Sequence, residues 1–267
     1  GKITHLKLST DKIKEIPPSI GNLNNLNYMF LEIKNLRIST LPESFGKLSN
    51  LKELTIFADS LIRLPDSFGS LNSLEYLKLN CKALKSLPDS IGQLQNVKKI
   101  DLECESLEEF PDSLIMLNSL ESLKIHGGKF NFLPRNFGNL GRLRHLRINE
   151  SSLMDLPDSF GNLKSLEDSA LEGNELKTLP RDLTKLKNLN FFNVGGNYLK
   201  KVPNTLWNLD HLEWLNISSN MLTELPESMG NLQSLKELNI ARNKFSKFPQ
   251  VILKLKALKF LNCSEIQ

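Results

Sequence analysis

The residues that could carry chemistry in this 267-residue chain are four histidines, three cysteines and two glycine pairs. His126 and His145 could share a metal or a pH-sensitive contact. Neither has a third ligand at a recognised spacing, so both read as ordinary surface residues and no metal is expected. Gly127-Gly128 and Gly195-Gly196 follow strand-like segments, as a phosphate loop would. Both lack the spaced glycines and the lysine that cradle a phosphate, and they read as turn residues. Cys81 and Cys104 lie 23 positions apart. On adjacent parallel strands, about 5 Å apart, they are within disulfide reach. The simpler expectation is two small, half-buried thiols. No acid, base and nucleophile converge, so no catalytic residue, no cofactor and no enzyme activity are expected.

The element that organises the chain is a repeat. Prolines recur every 23 residues from Pro42 to Pro249, and the interval from Pro17 to Pro42 is 25. Leu222 to Phe248 shows the unit: Leu225-Pro226, then Met229, Leu232, Leu235, Leu238, Ile240, Asn243 and Phe245. A fixed period between 20 and 29 residues signals stacked units, each of which buries its apolar face only against its neighbours. Leu77-Lys78-Leu79, Leu146-Arg147-Ile148 and their equivalents alternate with period two, which predicts short strands. Segments such as Pro157 to Leu166 space their apolar residues by three, which predicts helical or 3-10 returns. The glycines at 21, 46, 69, 92, 138, 161 and 230 then mark bends that need little bulk. Narrow strands backed by wider returns predict a curved stack with its sheet on the inside.

Two irregularities stand out. Asn174, Asn197, Asn220 and Asn243 fill one column, whereas Asp59, Lys82, Glu105 and Ser151 stand there earlier. Those earlier turns need water or another backbone pairing. Repeats 1–173 are therefore expected to be irregular and 174–267 regular, within a single domain spanning 1–267. Two extra residues fall within Asn27 to Thr40 and leave the register there open. Ser169 stands where its neighbours have large apolar residues and should leave a small void or a buried hydroxyl.

The units Leu87-Pro88-Asp89-Ser90-Ile91-Gly92-Gln93-Leu94 and Leu156-Pro157-Asp158-Ser159-Phe160-Gly161-Asn162-Leu163 resemble leucine-rich repeats. The resemblance is to the Ras-group type, to plant resistance receptors and to bacterial repeat proteins. It implies an α/β solenoid, a horseshoe with a concave parallel sheet of about twelve strands and convex helical or 3-10 turns. It also implies a protein-protein interaction module that binds on the concave face. The alternatives are a recognition segment of a larger enzyme or immune receptor, or a bacterial effector that binds host proteins.

Between the inward leucines, register turns two columns outward. One runs His5, Glu53, Tyr76, Lys99, Ser122, His145, Asp168, Phe191, Trp214, Glu237 and Phe260. The other runs Lys7, Thr55, Lys78, Asp101, Lys124, Arg147, Ala170, Asn193, Asn216, Asn239 and Asn262. Phe191 beside Trp214 is expected to anchor a protein partner. Tyr76, Lys78, Lys99, Asp101, Lys124, His145 and Arg147 form the polar flank. The four asparagines read as a consensus ladder.

A net charge of +4 from 34 basic and 30 acidic residues argues against a nucleic-acid partner. No apolar run approaches the roughly 18 residues of a membrane span. Three cysteines and no cysteine-rich caps favour a cytoplasmic, reducing setting. Leu6, Leu8 and Ile13 at one end and Leu258 and Leu261 at the other complete half-covered turns. The chain is therefore expected to be a monomer or to associate weakly end to end.

Overall fold

The computed structural model describes residues 2–34 and 38–265. Its contacts divide the chain into two compact units, residues 1–130 and 131–267. Both are α/β solenoids of short parallel strands and 3-10 returns. The first holds β1 (His5–Thr10), β2 (Tyr28–Ile33), β3 (Glu53–Ala58), β4 (Tyr76–Asn80), β5 (Lys99–Glu103) and β6 (Ser122–His126). The second holds β7 (His145–Asn149), β8 (Asp168–Ala170), β9 (Phe191–Asn193), β10 (Trp214–Asn216), β11 (Glu237–Asn239) and β12 (Phe260–Asn262). Within each unit strand order follows chain order, and paired residues are mostly 23 apart, as Trp214 with Glu237.

The core is the inward set that alternation predicts. Leu77, Leu79, Ile100, Leu102, Leu215 and Ile217 are all buried. The two extra residues fall between Ile33, paired with Ala58, and Ser39, whose carbonyl accepts the amide of Ile62. Residues 35–37, inside that stretch, lie outside the described residues.

Most returns are 3-10 turns of about five residues, such as Asp66–Ser70 after Pro65, whereas the return between β8 and β9 has none. Proline at the cap gives up no hydrogen bond there, because its missing N–H has no partner in a first turn. The serine two residues after the proline acts between repeats. The Ser67 hydroxyl donates to the Glu43 carbonyl at 2.6 Å, and the Ser90 hydroxyl accepts the Gly69 amide at 3.1 Å. The glycine column has a cause other than bending. A Cβ on Gly46, Gly69 or Gly92 would stand 2.3, 2.1 or 2.4 Å from the backbone oxygen of a serine in the next repeat. Successive returns approach backbone to backbone, and only hydrogen fits between them.

The ends of the strands are built in two ways. In β9 to β12 the last residue is Asn193, Asn216, Asn239 or Asn262. Its side-chain oxygen accepts the backbone N–H two residues on, at 3.0–3.1 Å. That local bond takes the amide out of the ladder where these three-residue strands end. The chain then passes through a left-handed residue, at Gly196 (φ 64°), Ser219 (φ 52°) or Arg242 (φ 54°). It next drops an asparagine into the interior. Asn197 donates to the carbonyls of Leu171, Val194 and Gly195, and accepts the Leu176 amide at 2.9 Å. The asparagines of β9 to β12, buried at 193 and half-buried at 216, 239 and 262, cap the ends of their own strands rather than forming a solvent-facing ladder.

In β3 to β5 the middle residue is Thr55, Lys78 or Asp101, and the alternation runs on. Ala58, Cys81 and Cys104 become a third inward residue, one position earlier than the asparagine column. Backbone pairing closes these turns: the Cys81 amide meets the Glu103 carbonyl at 3.1 Å, and the Cys81 carbonyl accepts the Leu84 amide at 3.1 Å.

Ser169 is fully buried, and its hydroxyl has no hydrogen-bond partner among the described residues. Register sets it between Leu146 and Phe192, so a small residue sits beside the largest in that column.

Two stability predictions follow from this packing. Gly69→Ala should lower stability by about 2 kcal/mol, the scale of an overpacked contact. Gly141→Ala, whose added Cβ meets nothing closer than 3.9 Å, should stay within about 0.5 kcal/mol of the parent in urea denaturation. Equal effects would remove the close approach as the reason for the glycine column. Ser169→Ala should raise stability by about 1 kcal/mol, because it removes an unpaired buried hydroxyl and little volume. A lower midpoint would show that the hydroxyl is bonded.

Candidate functional site

The expected binding residues lie on both units, each set on the outward face of its own sheet. In the first unit Tyr76 and Lys99 are register partners, as are Lys78, Asp101 and Lys124. Lys78 is the hub. Its ammonium lies 3.0 Å from Glu103 and 3.7 Å from Asp101, and 5.9 Å from the Phe57 ring centroid. The hydrogen bond to Glu103 holds the Lys78 ammonium above its ordinary pKa. Burial, then the Asp101 charge, raises the Tyr76 phenol, so its hydroxyl stays a donor at neutral pH. Lys99 and Lys124 are exposed.

The longer strands of this unit expose a third outward column that the expected two columns omit. It contains Glu32, Phe57, Asn80 and Glu103. Tyr28 and Phe30, displaced from the expected columns by the open register, belong to the outward face as well. Phe30 lies 5.5 Å from Phe57 and 5.2 Å below the Lys7 ammonium. Counting 23 residues on from His5 and Lys7 locates both, because the extra residues come later than β2.

In the second unit Phe191 and Trp214 stack at 4.1 Å between centroids and 9° between planes. The expectation of two freely exposed aromatics is corrected here. Both are half-buried, because each ring covers one face of the other. The indole N–H donates to Glu237 at 2.9 Å, which fixes the rotamer. On the other side of Phe191, Asp168 takes the ring nitrogen Nδ1 of His145 in a short contact, with Arg147 at 3.7 Å. Asn193 is buried and donates to Glu172 at 2.6 Å. Arg147 remains exposed.

No group of three or more His, Cys, Asp or Glu is placed to hold a metal ion among the described residues. No helix of the described residues is long and apolar enough to cross a membrane. The expectation of half-buried cysteines is also corrected. Cys81 and Cys104 are free and fully buried, their thiols directed at the carbonyls of Ile56 and Leu79 at 4.0 and 3.9 Å. They point inward because the strand alternation extends to them.

Two sequence profiles match the chain. One, described as a leucine-rich repeat region, covers residues 1–82, and another, described as leucine rich repeat, covers residues 211–265. No curated protein sequence matches it. Among solved structures, a leucine-rich repeat protein of Leptospira interrogans is 28% identical with a TM-score of 0.71, over 98% of this chain and 72% of that one. A chain of the TLR13–ssRNA13 complex is 25% identical with a TM-score of 0.78, over 97% of this chain and 40% of that one. A chain of the Drosophila Toll–Spatzle complex is 21% identical with a TM-score of 0.77, over 98% of this chain and 39% of that one. This last likeness is one of fold.

The buried thiols make a pH prediction. Burial, the first cause for both, pushes Cys104 up to about 11 and Cys81 higher still. An unfolded thiol ionises near pH ~8.5, so above that pH the unfolded chain binds fewer protons than the folded one. Stability should therefore fall as pH rises from about 8.5 through the folded values, by up to about 1.4 kcal/mol per pH unit for each thiol. Urea midpoints across this range should decline less steeply for Cys81→Ala/Cys104→Ala. Parallel declines would mean that the thiols ionise freely.

Proposed function

Since the chain is a leucine-rich repeat protein, we propose that it is a protein-interaction module that binds a partner protein on the outward face of its sheet. Repeats of this kind are in general interaction surfaces rather than enzyme scaffolds. The observation that carries the reading is the Phe191–Trp214 stack, two large half-exposed aromatics held rigid on neighbouring strands. A preformed stack with its indole N–H already bonded loses little rotamer freedom on binding, so its apolar surface is well suited to anchor a partner. His145 and Arg147 flank it within the same unit. Tyr76, Lys78, Lys99, Asp101 and Lys124 form a polar patch of their own, suited to steering and specificity.

Two of the similar structures are complexes, one with a protein and one with an RNA. The outward columns of this chain favour a protein. Glu53, Asp101, Glu103, Asp168 and Glu237 interrupt the lysines and arginines, so no continuous basic track follows a phosphate backbone.

The test is capture from a lysate of source cells by the immobilised chain, then titration of the captured protein. Trp214→Ala should weaken the affinity by about thirtyfold or more, the loss of a buried aromatic anchor. The fold should survive, because Leu215 and not Trp214 lies in the core. Unchanged affinity would remove the stack from the interface.

A further inference from the structure

The outward face of β3 to β6 carries a depression of about 380 Å³, lined by Glu53, Tyr76, Lys99, Asp101, Ser122 and Lys124. That volume lies at the lower end of the range for sites that receive a ligand group. We propose that it is a carboxylate subsite, which takes an acidic side chain of a bound peptide between Lys99 and Lys124. This deepens the protein-interaction reading and rests on it.

Charge pairing around the depression supports the assignment. Asp101 already has a cation, Lys78, at 3.7 Å, and Glu103 beyond it is bonded by Lys78 and by Asn80. Lys99 and Lys124 form no ion pair among the described residues, and both are exposed. They stand on adjacent strands, Lys99 opposite Ser122 and Lys124 opposite Asp101. One carboxylate between them meets two ammonium groups at once. Tyr76, opposite Lys99 on the next strand, adds a phenol that remains protonated at neutral pH. Glu53 forms the far wall, on the strand beyond Tyr76. Its charge repels an anion from that side and so confines the carboxylate to the lysine side. An acidic peptide is therefore the occupant that the depression fits.

The experiment uses the full chain and two fluorescein-labelled probes, hexaglutamate and hexalysine, read by fluorescence polarisation at low ionic strength. Lys99→Glu/Lys124→Glu should weaken hexaglutamate binding by about tenfold or more, and Lys99→Gln/Lys124→Gln by a smaller factor. Lys244→Glu/Lys247→Glu changes net charge equally at exposed positions in the other unit, and should shift binding by no more than about twofold. Hexalysine should not bind. Circular dichroism checks that each variant is folded. Equal weakening by the two glutamate variants would reduce the effect to diffuse charge and overturn the subsite. So would the absence of hexaglutamate binding to the parent chain. Trp214→Ala should leave hexaglutamate binding unchanged, so failure of the partner interface and failure of the subsite register separately.

Discussion

The rest of the structure depends on one constraint: the peptide groups at the end of each strand are buried, and their partners must come from the same or the neighbouring repeat. A repeat has no interior of its own, so its polar backbone is satisfied across the seam or not at all. The chain solves this twice. Where Asn197, Asn220 and Asn243 are available, one amide side chain bonds carbonyls of two repeats and accepts an amide from the earlier one. Where they are absent, the backbone continues its own ladder for another step. Leaving such a group unpaired costs about 1–3 kcal/mol, enough to select one solution or the other in every repeat.

That choice sets what the outward face presents. A three-residue strand with asparagine at its end has only two outward positions before the turn. A strand that runs on shows a third, and in β3 to β5 the third is Phe57, Asn80 or Glu103. Lys78 finds its ring and one of its carboxylates only because that column exists. The same extra step turns Cys81 and Cys104 inward and seals them from solvent. The third outward column of the first unit and the asparagine-ended strands of the second thus arise from two ways of finishing a strand. Their chemistry differs accordingly. The first is rich in charge, and the second is an apolar step braced by Glu237.

The returns obey a related rule of close approach. Glycine is present at 46, 69 and 92 because a carbonyl of the next repeat occupies the place of its Cβ. The hydroxyls of Ser67, Ser90 and Ser159 tie the same segments together from the other side. Both residues are visible in the sequence as a motif, yet neither reason is. A bend and a capped turn explain the same letters, and the contact that decides between them lies a full repeat away.

The sequence by itself determined the repeat, the alternation that buries Leu77, Leu79, Leu215 and Ile217, the 3-10 returns and the side of the sheet on which Phe191 and Trp214 lie. Those features follow from periods of two, three and 23, which a linear string displays directly. It also identified Ser169 as a polar residue in an apolar column. The tertiary structure alone decided the length of each strand, and with it the third outward column and the burial of the two cysteines. It also decided that the two aromatics cover each other, that Lys78 is shared between two carboxylates, and that Lys99 and Lys124 form no ion pair among the described residues. The physical reason is that these outcomes depend on side chains meeting across strands, at distances the repeat period does not encode. Whether a backbone amide goes to a nearby asparagine or to the next strand is a competition between two partners, and only the assembled neighbour shows which one wins.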